Sequence, residues 1–240
     1  MLSRGKEVLV NALVVLAGGN GSRAGGAENK VYAYVNGRPA LWYPLNAAAN
    51  FVKSVRVVVV IRPQDEKMAS ALADEFAHLH LRLVVGGATR HESERAGIEA
   101  VVDDIDGTGL IGIHDGARPF LTVDLWQSCV AAAGAVGGAV PVLQTSSLYR
   151  LDERGLSALS GDVFRAQTPQ VFRADGLVAS FQGSAEPAPD TAETVLRRSN
   201  LAVAAVLGDR RNIKITFAAD VERAAELAKH WSNGRWLTPV

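Results

Sequence analysis

Val8-Leu9-Val10-Asn11-Ala12-Leu13-Val14-Val15-Leu16 runs directly into Ala17-Gly18-Gly19-Asn20-Gly21-Ser22-Arg23, and Lys30 follows seven residues later. Of the nine residues Val8–Leu16, all but Asn11 are aliphatic, four of them valine, with no polar alternation, which is the pattern of a strand buried on both faces. Such a strand opening into glycines lets backbone N–H groups approach phosphate oxygens with no Cβ in the way. Arg23 and Lys30 then add two fixed positive charges. The stretch predicts an α/β fold with a polyphosphate grip after its first strand.

The rest of the chain repeats the alternation. Val55–Ile61, Leu81–Val85, Leu110–His114 and Ala139–Leu143 are short aliphatic runs, and Ala40–Phe51, Asp65–His78, Glu92–Val102 and Val123–Val136 suit crossover helices. Apolar strands separated by helices imply a single Rossmann-like α/β domain over 1–240, with a mostly parallel sheet covered by helices on both faces. Ligands of such sheets sit beyond the carboxyl ends of the strands. The distinctive residues fall there: Gly18–Arg23, Gly86–Ser93 and Asp115–Pro119. Between about 146 and 164 the pattern changes to two short strands, Leu148–Leu151 and Gly155–Leu159, around a polar turn. This reads as a protruding β-arm suited to packing on a second subunit. Gly183–Pro189 reads as a loop, Val203–Val206 as a late strand and Ala218–Trp231 as a closing helix.

Composition narrows the function. Twenty-five basic residues balance 25 acidic ones, which argues against a nucleic-acid protein held by bulk charge, and 48% hydrophobic residues support a substantial core. Cys129 stands alone, so no disulfide framework or cysteine metal site is expected, and a reducing cytoplasm is the simplest compartment. Arg4 and Lys6 before an apolar run superficially imitate a signal peptide. Glu7 and Asn11 interrupt it, and its cleavage region would be the phosphate loop itself. No apolar run approaches the roughly 20 residues of a membrane span.

The loop has three possible owners. A P-loop requires Lys-Ser/Thr after its glycines, and none follows here. Gly19-x-Gly21-x-x-Ala24 matches a loose dinucleotide fingerprint, but no Asp or Glu lies between Glu28 and Asp65 to hold a ribose. A nucleotidyltransferase loop remains. LAGGNGSR (16–23) with Lys30, GGATRHES (86–93), HDGARP (114–119), Pro141–Thr145, QTPQVF (167–172) and NIKIT (212–216) occur in order, and with them the chain resembles the 2-C-methyl-D-erythritol 4-phosphate cytidylyltransferase family.

The resemblance implies transfer of CMP from CTP to the phosphate of a small phosphorylated polyol, 2-C-methyl-D-erythritol 4-phosphate, with release of pyrophosphate, a step of isoprenoid precursor synthesis. By it, Arg23, Lys30 and Lys214 are catalytic cations. Ala17, Gly18, Gly19, Asn20, Gly21, Ser22, Gly86, Gly87, Ser93, Asp115 and Gly116 bind the nucleotide. Asp115 holds Mg²⁺ or another divalent cation. Arg118, Thr145, Thr168, Asp190 and Thr191 meet the acceptor, and Arg90 and Glu92 hold the base-reading loop. Lys214 is expected on a short strand, facing the crevice. A homodimer through the arm is implied, with no nucleic-acid or membrane partner.

Departures cluster on the acceptor side. Ser160 stands where the family places a cation, and Asp190-Thr191 inverts a family pair. Arg150, Arg154 and Arg165 are possible replacements. A different sugar or polyol phosphate, or a nucleotide-binding paralogue with little catalysis, are the alternatives. On the nucleotide side, Asn29 replaces a proline before Lys30, and Val31 stands where a polar residue is common.

Overall fold

A computed structural model describes residues 9–19, 29–51, 55–79, 81–146, 148–153, 155–158, 161–183 and 188–238. The elements run β1 (Leu9–Leu16), the hairpin β2 (Tyr34–Val35) and β3 (Arg38–Pro39), α1 (Trp42–Ala49), β4 (Arg56–Ile61), α2 (Glu66–Glu75), β5 (Arg82–Val85), α3 (Arg90–Val102) and β6 (Ile105–Asp115). They continue through α4 (Val123–Val136), β7 (Gly137–Thr145), the arm strands β8 (Tyr149–Asp152) and β9 (Gly155–Ala158), β10 (Val163–Ala166) and β11 (Gln170–Arg173). The chain closes with α5 (Ala174–Ser180), α6 (Thr191–Arg198), β12 (Ala202–Leu207), α7 (Ala218–Ala228) and the hairpin β13 (Trp231–Ser232) and β14 (Arg235–Trp236).

Eight strands form the central sheet. Its path is β10-β7-β11-β6-β1-β4-β5, with β12 on β7. β1 pairs in parallel with β4 and β6, β4 with β5, and β12 with β7. β11 runs antiparallel between β6 and β7, and β10 antiparallel along the far end of β7. The sheet is therefore mostly parallel, as expected, but two short antiparallel strands are inserted that the apolar runs did not announce.

The uninterrupted apolar strands are explained by burial on both faces. Leu13, Val15, Val57 and Val59 pack with Leu45 of α1, Leu72 of α2, Cys129 of α4 and Ala224 of α7. Their alternates Ala12, Val14, Val58 and Val60 pack with Ile98 of α3, Leu177 of α5 and Val195 of α6. α3 lies so close to the sheet that a Cβ at Gly97 would run into Val14 and Val60. Cys129 is fully buried and its thiol is pushed up to about 12 by burial, the behaviour of an inert core residue.

Helix starts are set locally. Thr89 and Glu92 form a reciprocal capping box at α3, with Glu92 N–H donating to Thr89 Oγ1 and Thr89 N–H to Glu92 Oε2. Asp190 accepts the Glu193 N–H at the start of α6. These two caps fix the helices whose first turns flank the site. No helix among the described residues is long and apolar enough to cross a membrane.

Candidate active site

The carboxyl ends of neighbouring parallel strands are stitched together by backbone bonds. Ala17 N–H donates to Val60 O (2.7 Å), Gly86 N–H to Ile61 O (2.9 Å) and Gly116 N–H to Leu16 O (2.9 Å). Between them opens a cleft of about 290 Å³. Gly18 and Gly19 line it after β1, and Lys30 after the glycine-rich segment. Gly87–Arg90 and Ser93 line it after β5, Asp115 and Ala117 after β6, and Lys214 from the late segment. Three loops read as separate in sequence thus meet in one place.

Asp115 is the electrostatic centre. Arg90 Nη1 donates to its Oδ1 (2.7 Å) and Lys214 Nζ to its Oδ2 (2.8 Å), while Arg118 Nε lies 3.5 Å from Oδ2 as an ion pair. Burial pushes this carboxyl up, but Arg90, Lys214 and Arg118 outweigh it and hold Asp115 well below the usual range. Arg90 also donates through Nε to Glu94 Oε1 (2.8 Å), and Thr191 Oγ1 donates to that oxygen (2.8 Å). Burial raises Glu94 against the opposing pull of Arg90. Arg90, Arg118 and Lys214 are paired with the two carboxylates Asp115 and Glu94, and Lys30 lines the same cleft, so this wall carries net positive charge.

A neutral histidine sets the wall from behind. His114 is fully buried, and burial lowers its pKa to about 4. Its Nε2 is 3.0 Å from the Arg118 carbonyl, an acceptor only, which assigns the proton to Nε2. Nδ1 is then the acceptor for the Thr168 hydroxyl (3.1 Å), and Thr168 Oγ1 accepts the Asp115 N–H (3.0 Å). Asn212 Nδ2 donates to the Thr168 carbonyl, and Arg118 Nη1 to the Asn212 carbonyl (both 2.8 Å). Asp115, Arg118, Thr168 and Asn212 therefore form one buried polar cluster, with Lys214 two residues on.

A sequence model of the IspD family, 2-C-methyl-D-erythritol 4-phosphate cytidylyltransferase, matches residues 11–229. The 2-C-methyl-D-erythritol 4-phosphate cytidylyltransferase of Cereibacter sphaeroides (strain ATCC 17023) is 36% identical over 91% of this chain and 97% of its own length. The chain belongs to this family. The crystal structure of the cytidylyltransferase of that name from Thermus thermophilus matches 91% of this chain and 98% of its own, at 28% identity and a TM-score of 0.69. The 4-diphosphocytidyl-2C-methyl-D-erythritol synthase from Anaerococcus prevotii has the same fold, with a TM-score of 0.78 at 24% identity, over 91% of this chain and 98% of that one.

Of the residues singled out from the IspD resemblance, Gly18, Gly19, Lys30, Gly87, Ser93, Asp115 and Lys214 line the cleft. Ala17, Gly86 and Gly116 lie in the stitched strand ends behind it. Ser93 sits in the first turn of α3 and donates to the Thr89 carbonyl (2.9 Å), leaving its oxygen lone pairs for a ligand. Asn20, Gly21, Ser22 and Arg23 fall outside the described residues, as do Arg154 and Ser160.

Arg118 and Thr168 belong to the Asp115 cluster. Asp190 caps α6 and accepts from Gln170 Nε2 (3.1 Å), Thr191 is buried against Glu94, and Thr145 pairs with Val163 at the root of the arm. None of these three lines the cleft. Lys214 reaches the cleft from an irregular segment, not the expected strand. The backbone bond from Ile215 N–H to Ala117 O (2.8 Å) registers it there.

Sequence reasoning gave Arg90 only a loop-holding role, whereas it grips Asp115 directly. Glu94, Asn29 and Asn212 were missed as partners. The Arg90/Glu94 spacing of i, i+4 was a usable signal for that ion pair.

Proposed function

We propose that this chain transfers CMP from CTP to the phosphate of 2-C-methyl-D-erythritol 4-phosphate and releases pyrophosphate. The observation that supports it most is the net-positive cleft at the ends of β1, β5 and β6, in a chain of the IspD family. A phosphate oxygen of the acceptor attacks the α-phosphorus of CTP, forming a P–O bond as the bond to pyrophosphate breaks. The acceptor is already an anion near neutral pH, so no general base is needed. The task is to hold two polyanions in line and neutralise the charge that builds on the α-phosphoryl oxygens.

Lys30 and Lys214 supply that neutralisation, with Arg23 as the third cation. Each such donor is worth about 10²–10³ in rate. The amides of Gly18 and Gly19 receive phosphate oxygens, and the Gly86–Gly87 segment with Ser93 meets the base. Asp115 is the carboxylate that would hold Mg²⁺ carried in on the triphosphate, sharing an oxygen now bonded to Arg90 or Lys214. This ion takes one or two carboxylates and fills its shell with phosphates and water. Mg²⁺ bound there would add positive charge at the phosphates.

The acceptor is the less constrained partner, because Asp190 and Thr191 are engaged in capping α6 and bonding Glu94. A related polyol phosphate is therefore the second reading. Pyrophosphate release with CTP, Mg²⁺ and a panel of polyol phosphates tests both. Turnover with the methylerythritol phosphate is expected, preference for another member would move the assignment, and silence across the panel would reject the enzyme.

The arm supports a homodimer: Leu151 and Leu156 are 76% and 73% exposed on its two strands. We place the protein in the cytoplasm on its lone buried cysteine, and without a nucleic-acid partner on its balanced charge.

A further inference from the structure

Asn29 is 1% exposed and uses all of its hydrogen-bonding groups. One Nδ2 hydrogen goes to the Ala17 carbonyl at 2.6 Å, the other to Asp65 Oδ2 at 2.8 Å. Its Oδ1 accepts the Val31 N–H at 3.4 Å, capping the short 3₁₀ turn Lys30–Tyr32. Asp65 is buried as well and is gripped by Arg62 through Nε to Oδ2 (2.7 Å) and Nη2 to Oδ1 (2.8 Å). One side chain thus joins three places: the end of β1 where the glycine-rich segment begins, the turn carrying Lys30 where it ends, and the Arg62–Asp65 pair after β4.

We infer that Asn29 is a positioning residue that sets Lys30 against Gly18 and Gly19, with Asp65 and Arg62 as its anchor. The inference rests on the reading that Lys30 and the glycine amides hold the triphosphate. The amide is suited to the place because it offers two donors and one acceptor in a small plane. A carboxylate there would have no hydrogen for Ala17 O and would face Asp65 with like charge. Alanine would leave Ala17 O and Val31 N–H without this partner and Asp65 Oδ2 with Arg62 alone. Either change frees the residue next to Lys30. Because misplacement of a reacting group by about 1 Å costs roughly 10²-fold, a loosened turn is expected to be felt at the α-phosphorus.

A double-mutant cycle tests this. Asn29→Ala is expected to lower kcat/KM for CTP about 10- to 100-fold while the acceptor KM stays within about two-fold. In a Lys30→Ala background the same change is expected to cost less than about two-fold, since its route runs through Lys30. Equal losses in both backgrounds, or a folded Asn29→Ala with near wild-type kcat/KM, would overturn the inference. Asn29→Asp keeps the shape and removes the donors, so it should do no better than alanine.

Amide hydrogen exchange over 29–33 reads the latch without turnover. Faster exchange there, with β6 unchanged, is expected for Asn29→Ala even if the wild type proves inactive on every acceptor. Unchanged exchange would reject the latch whatever the activity. Should Asn29→Ala fail to fold, Asp65→Asn loosens the same anchor and carries the same two readouts.

Discussion

The cleft wall and the β-arm are built on opposite principles. Around Asp115 the polar groups are buried and tied to several partners, and they come from sequence-distant elements: Lys214 and Asp115 are 99 residues apart. The arm is local, two four-residue strands paired only with each other in the described structure. Its apolar side chains face outward. A two-stranded hairpin is marginal by itself in water, whereas the Asp115 cluster finds its partners within the packed sheet. One region can therefore be altered without unmaking the other.

The largest effect tests the cleft. Lys214→Ala is expected to lower kcat at least about 10²-fold with little change in Tm, because Asp115 keeps Arg90 and Arg118. An unchanged kcat would remove Lys214 from the chemistry and leave the cleft a binding site only.

The next uses pH. The unfolded His114 imidazole binds a proton below about 6.5, whereas the folded one resists until about 4. Stability should thus fall by roughly 2–4 kcal/mol as pH drops across that window. His114→Gln, which cannot titrate, should show a shallower slope in urea unfolding between pH 6.5 and 4. A slope equal to the wild type's would mean that other groups carry the acid sensitivity. Asp115, held low by its cations, acts later, since the stability it provides is lost only as pH falls below the ordinary carboxylate range.

Thr191→Val probes the link between α6 and the cleft. It removes one donor to buried Glu94 and should cost about 1–3 kcal/mol in denaturant unfolding. A loss near zero would detach α6 from the Arg90 network.

The smallest expected effect falls on the arm. Leu151→Ser with Leu156→Ser should change protomer stability by no more than about 0.5 kcal/mol, while light scattering shifts from dimer towards monomer. A monomeric wild type, or a large loss of protomer stability, would break the contrast between the two regions.

Much of this was legible beforehand because its causes are local. The strands at 56–61 and 82–85 announce themselves by apolar runs, α4 occupies Val123–Val136 as its pattern predicts, and the arm strands fall where the polar turn divides them. Helix Asp65–His78 is trimmed to Glu66–Glu75, with 3₁₀ turns at Pro63–Asp65 and Ala77–Leu79. β11 was read as a motif and not as a strand. Four residues are too few to show a period, and its place depends on distant partners, Ile113 to Leu110 on one side and Gly138–Ala139 on the other. α5 and α6, seven and eight residues long, went unread for the same reason.

By itself the sequence determined the layered α/β plan, the loops that carry the chemistry and the residue types available for it, since periodicity and composition act over a few neighbouring positions. Tertiary structure decided which cation neutralises which carboxylate, that Thr168 meets the His114 ring and that Asn29 fastens Asp65. Those outcomes depend on hydrogen bonds of about 3 Å between residues tens of positions apart, and only the packed sheet brings such atoms within reach.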